Sequence, residues 1–155
     1  MIVYVKATLL AFSVTIPGYA MAQRAPADAA RWMIGCIDLV QEDSAAAGEM
    51  DAHCVTNAAD YCAIGRQAPD RLPCFDALSA TLDRRLAVLI AQKPDISNLT
   101  GFGPGTFERQ WAQATEQAID CPGSLRPKDM CSLFISMQRW TAARTAWRIW
   151  RRYQT

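Results

Sequence analysis

A chain of 155 residues with 16 basic and 15 acidic side chains carries a formal charge of only +1, and 51% of it is hydrophobic. That balance excludes bulk electrostatic attraction to nucleic acid, and the length suits one domain with a modest core. One histidine leaves little material for an imidazole-based centre, whereas six cysteines are enough for a disulfide framework.

Residues 1–22 read as a secretory signal peptide. Lys6 is its positive charge, Ala7 to Ile16 its apolar stretch, Pro17-Gly18 its break, and Ala20-Met21-Ala22 a small-x-small cleavage site. The apolar stretch is shorter than the ~20 residues a bilayer requires. No later stretch qualifies, so no stable membrane anchor is expected. The mature chain, residues 23–155, is then a single domain in the periplasm or outside the cell, where disulfides persist. Without Lys6 its charges cancel, but unevenly. Residues 23–120 hold eight basic and fourteen acidic side chains, and residues 121–155 hold seven and one. The acidic body and basic tail either attract each other within the fold or leave the tail to a partner.

The periodicity predicts helices and no strand. A first helix is expected from Pro26 to Asp43, with Trp32, Cys36, Leu39 and Val40 on one face. Ser44 to Gly48 reads as a small-residue connection. A second helix is expected from Glu49 to Ile64, with Cys54, Ala58 and Cys62 on one stripe. Gln67 to Leu72 reads as a polar loop. A third helix is expected from Pro73 to just before Pro94, with the seam Phe75, Leu78, Leu82, Leu86 and Leu89. Gly101-Phe-Gly-Pro-Gly105 is rich in helix-breaking residues, so it reads as loop. Thr106 is then the expected N-cap of a fourth helix reaching Cys121, with Trp111, Ala114, Ala118 and Cys121 facing inward. A fifth helix is expected from Pro127 to Tyr153. The fold class that follows is all-α: a small bundle of about five helices, stapled by disulfides.

Six cysteines allow fifteen pairings, and the helix layout narrows them. Cys36 and Cys54 flank the first connection, Cys62 and Cys74 the second, and Cys121 and Cys131 the last. Facing Cα atoms on packed helices come roughly 4–5 Å apart, close to what a disulfide spans. The expected pairs are Cys36–Cys54, Cys62–Cys74 and Cys121–Cys131. The spacing of structural zinc sites and the haem-attachment signature are both missing, so no metal or cofactor is expected.

No constellation points to catalysis. His53 and Cys54 are neighbours on a helix, so their side chains diverge by about 100°. Glu42-Asp43 and Glu49 with Asp51 fall in a polar connection that leaves them ionised and solvated, unlike an acid–base pair in contrasting environments. The glycine-rich segment lacks a phosphate-loop ending and reads as a flexible surface loop with an exposed Phe102 or, alternatively, as a protein-contacting loop. The fifth helix carries Arg144, Arg148, Arg151 and Arg152 on one face and Trp140, Trp147 and Trp150 on the next. Three roles fit it: tryptophans packed on the bundle with arginines in water or on the acidic body, a docking surface, or a membrane-surface helix. The tentative partner-binding residues are Trp140, Arg144, Trp147, Arg148, Arg151 and Phe102.

Three patches carry a family resemblance: Cys54-Val-Thr-Asn-Ala-Ala-Asp-Tyr-Cys62, Leu82-Asp-Arg-Arg-Leu86, and Trp111 to Cys121 followed by Cys131 and Arg139-Trp-Thr-Ala-Ala-Arg144. Their cysteine and tryptophan spacing resembles the lysozyme-inhibitor family typified by mycobacterial LprI, in its helical N-terminal domain. The resemblance implies an envelope location and a protein partner such as lysozyme. The expectation is an exported, non-enzymatic binding protein that blocks a cell-wall hydrolase. The alternative is an envelope assembly module docking through the Arg/Trp helix.

Overall fold

The computed structural model describes residues 18–64, 66–116, 119–123 and 128–154. Five helices account for most of them: α1 (Gly18–Asp38), α2 (Ala47–Ala63), α3 (Ala68–Ala91), α4 (Gly103–Thr115) and α5 (Cys131–Tyr153), with a short 3₁₀ turn at Lys128–Met130 before α5. No strand occurs among the described residues; Leu99 and Gln154 make one isolated antiparallel bridge. The protein is an all-α, disulfide-stapled bundle.

Two apolar clusters hold it together. The larger joins α1, α2, α3 and the first half of α5, around Met33, Ile37, Phe75, Leu78, Leu82 and Trp140, all essentially buried. The smaller joins α4 to the second half of α5 through Leu99, Phe107, Trp111 and Ala146. There Phe107 and Trp111 stack at 5.5 Å. Trp150 donates its indole N–H to the Asp95 carbonyl at 2.9 Å. Ser79 and Ser136 satisfy each other at 2.7 Å between α3 and α5. Arg139 of α5 donates to the Ala114 carbonyl at 2.8 Å and to that of Thr115. It thereby caps α4, whose terminal carbonyls have no helical partner.

The disulfides form as the helix layout predicts: Cys36–Cys54, Cys62–Cys74 and Cys121–Cys131, with Cα separations of 5.7, 5.6 and 5.7 Å. Three such bonds belong to an oxidising compartment. No helix among the described residues is long and apolar enough to cross a membrane.

Several helix boundaries and one face differ from the sequence expectations. α1 ends at Asp38, and the chain turns through residues 39–46, so Leu39 lies beyond the helix and is 82% exposed. The buried face of α1 is Ala29, Met33 and Ile37; of the expected face, Val40 is buried beyond the helix and Cys36 packs against the core, while Trp32 and Leu39 do not. The tighter i, i+4 ladder of Ala29, Met33 and Ile37 seats against α2 and α3, leaving Trp32 half-exposed. α3 starts at Ala68 and not at Pro73: Pro69 occupies the first turn, where its missing N–H has no helical acceptor to lose, and Pro73 is absorbed inside the helix. α4 begins within the glycine-rich segment for the same reason, with Pro104 in its first turn. Phe102, and not Thr106, occupies its N-cap position. Gly101 supplies the positive φ (60°) that turns the chain into α4. Gly103 allows the close approach of α5: a Cβ there would lie 2.9 Å from Tyr153 Cβ. α4 stops at Thr115, so Cys121 lies beyond it, and Ala118 lies outside the described residues. The signal peptide falls mostly outside them too, while α1 runs from Gly18 through the expected cleavage point.

Candidate functional site

The arginines of α5 meet two different surroundings. Arg144 and Arg148, one turn apart, reach back to the acidic connection. Arg144 bonds Glu42 and lies 3.2 Å from Asp51 Oδ2. Arg148 bonds Glu42 Oε2 at 2.8 Å and Asp51 Oδ2 at 2.7 Å. The side chain of Asp51 is fully buried, and both guanidiniums are 10% exposed. Asp51 therefore departs from its expectation as a solvated carboxylate: it sits on the inward side of α2, beneath the turn that carries Glu42. Burial pushes the Asp51 carboxyl above its ordinary range, and the two guanidiniums offset this only in part. One of its oxygens takes both arginines, while Oδ1 is buried without a hydrogen-bond partner among the described residues. Burial also lowers Arg144, which stacks over Trp140 at 5.1 Å. An arginine remains protonated at any physiological pH all the same.

The Cys36–Cys54 bond closes the segment that contains Glu42, Asp43, Glu49 and Asp51. That staple holds the turn against α5. Of the five carboxylates between residues 38 and 51, Asp38 is taken by Arg85 through two bonds of 2.8 and 3.1 Å. Glu42 and Asp51 are taken by α5, and Asp43 and Glu49 stay exposed. The acidic body and basic tail thus attract each other within the fold.

Beside this cluster an open cavity of about 560 Å³ lies between α3 and α5. Its apolar lining is Val88, Leu89, Trp140 and Trp147. Arg84, Arg85, Arg144 and Arg151 give it charge, with Glu42 the one carboxylate in its wall. Arg85 and Arg144 are neutralised by Asp38, Glu42 and Asp51. No carboxylate among the described residues pairs with Arg84 or Arg151. Among the described residues Arg84 donates to the Thr81 hydroxyl, at 2.9 Å. The site therefore presents two guanidiniums from two helices, neither ion-paired among the described residues, beside an apolar wall.

Of the sequence-predicted partner-binding residues, the structure brings Trp140, Arg144, Trp147 and Arg151 to this cavity. Trp140 is 1% exposed and Arg144 9%, so they serve as wall and ion-pair and offer little surface. Arg148 is engaged in the buried cluster. Phe102 is 88% exposed at the start of α4 and does not line the cavity. Sequence reading missed Arg84, Arg85, Val88 and Leu89. Their signal was two i, i+4 pairs, Arg84 with Val88 and Arg85 with Leu89, which aligns a charge with an apolar group twice on one side of α3.

A second hollow, about 680 Å³, lies between Trp32 of α1 and Tyr61 of α2. Its rim charges, Arg31 and Asp28, already face each other at 3.6 Å. His53 is exposed on α2, and Cys54 is held in its disulfide. No group of three metal-ligating side chains assembles among the described residues. Comparison of the chain with protein families, curated proteins and solved structures finds no match.

Proposed function

We propose that the protein is an exported, non-enzymatic binding protein of the bacterial envelope, periplasmic or secreted, which recognises an anionic partner at the α3/α5 cavity. The observation that carries this reading is that Arg84 and Arg151, neither paired with a carboxylate among the described residues, line one cavity together with an apolar wall. Export is supported by Pro26. Pro26 lies inside α1, where a proline removes one helical hydrogen bond and crowds the preceding turn. Cleavage after Ala22 makes Pro26 the fourth residue of the chain, where no helical acceptor is needed. The test is sedimentation of the purified oxidised protein with isolated cell envelopes. Wild type sediments, and the Arg84→Gln/Arg151→Gln variant stays in solution. Equal sedimentation of both, or of neither, removes the reading.

A second reading is the inhibition of lysozyme or another cell-wall hydrolase. It rests on the resemblance to the LprI-like family and on carboxylates that stay exposed, among them Asp43, Glu49, Asp60, Asp76 and Asp83. Lysozymes of the common type are basic, and opposite fields speed encounter. A lytic assay on bacterial walls tests it: undiminished lysis at large molar excess of the protein would count against this reading.

A further inference from the structure

We infer that the α3/α5 cavity takes a phosphorylated amphiphile, a single apolar tail ending in a phosphate. This rests on the reading of that cavity as the recognition site and names the chemistry of its occupant. Three observations converge on it. The cavity, at about 560 Å³, falls within the range of roughly 300–1,000 Å³ that small-molecule sites occupy. Its interior is lined by Val88, Leu89, Trp140 and Trp147, which have no use for a bare ion. Two guanidiniums with no ion-paired carboxylate among the described residues, Arg84 and Arg151, come from different helices and line the same cavity.

The head group follows from the donors. A planar guanidinium offers paired N–H groups that match the oxygens of a phosphate, and two of them balance a dianion. Glu42 disfavours a zwitterionic head with an added negative group on its own side of the cavity, but it is held by Arg144 and Arg148 and does not compete for Arg84 or Arg151. The tail follows from the wall. Val88 is 54% exposed although it faces this apolar hollow, so a hydrocarbon chain laid there removes it from water.

The experiment titrates the oxidised protein with monomeric hexyl, octyl and decyl phosphate, with inorganic phosphate, and with decyl maltoside as a neutral tail. Calorimetry reads affinity and tryptophan emission reports the Trp140 and Trp147 wall. The alkyl phosphates bind saturably at one site, tightening about three- to fourfold per methylene while the tail stays inside. The Arg84→Gln/Arg151→Gln variant weakens decyl phosphate at least tenfold, with unchanged helicity and melting temperature. Val88→Glu, which places a carboxylate one turn from Arg84, does the same. Inorganic phosphate binding as tightly as decyl phosphate would overturn the amphiphile and leave the anion-recognition reading standing. Decyl maltoside binding as tightly as decyl phosphate would overturn the phosphate head. Absence of binding by every probe overturns this inference, while envelope sedimentation separately decides the broader reading.

Discussion

Arginines recur along α5 at positions 144, 148 and 151, yet the first two are ion-paired within the fold and the third lines a cavity without a paired carboxylate among the described residues. The difference lies in what the rest of the chain brings opposite. Arg144 and Arg148 meet Glu42 and Asp51 on a turn held in place by the Cys36–Cys54 bond. Arg151 lines the same cavity as Arg84 and has no ion pair with a carboxylate among the described residues. A charged side chain is structural where the fold supplies its counter-ion, and available for recognition where the fold withholds it.

The sharpest way to break the first region is Asp51→Asn. Two buried guanidiniums would lose the negative charge of their shared acceptor and keep Glu42 alone as counter-ion, at a cost of roughly 3 kcal/mol. Calorimetric melting should register a fall on the order of 10 °C or more. The pH profile adds a signature. Because burial raises Asp51 above its ordinary value of 3.8, the folded chain holds a proton that the unfolded chain releases. This component of stability is present in acid and declines as pH rises from about 3.8 toward the raised value. Asp51→Asn should lack that decline. Asp38 behaves oppositely: its hydrogen bond from Arg85 lowers it, so its component is present above 3.8 and lost on acidification. Denaturant titrations from acid to neutral pH read both.

Removing the staple comes next. Cys36→Ser with Cys54→Ser opens a separation of 18 residues, with an expected loss of about 3 kcal/mol. It should also loosen Glu42 and Asp51 from α5, so adding Asp51→Asn to that variant should cost less than it does alone; a full double-mutant cycle measures the coupling. Gly103→Ala tests the α4/α5 contact independently of charge. Its Cβ would press on Tyr153 Cβ at 2.9 Å, for about 1–3 kcal/mol. The smallest effect belongs to the second region. Arg84→Gln and Arg151→Gln should change unfolding free energy by less than about 0.5 kcal/mol, because neither guanidinium has a carboxylate partner to lose. A loss as large as that of Asp51→Asn would erase the distinction between the two regions.

Much of the fold was legible because its signals are local. The Leu78, Leu82 and Leu86 seam repeats at helical spacing, and all three are buried. Each cysteine pair flanks one connection, so placing the helices was enough to choose the pairing. Proline and glycine misled where they sit at helix starts: Pro69 and Pro104 open α3 and α4, and reading them as loop moved both boundaries. The face of α1 was read only in part, because large residues such as Trp32 and Leu39 outweighed the smaller ladder of Ala29, Met33 and Ile37 that packs. At the candidate site the α5 half was visible as a run of arginine and tryptophan. The α3 half was not, because nothing along α3 alone marks Arg84 and Arg85 as part of a cavity until α5 is laid beside them.

By itself the sequence determined the helical class, the three sulfur bridges and the opposed charges of body and tail, since these depend on spacing and composition along one chain. Only the tertiary structure decided which arginines are spent on carboxylates and which remain free. Pairing needs donors and acceptors from α2, α3 and α5 within about 3 Å of one another, and such proximity is a property of packed helices that no single segment contains.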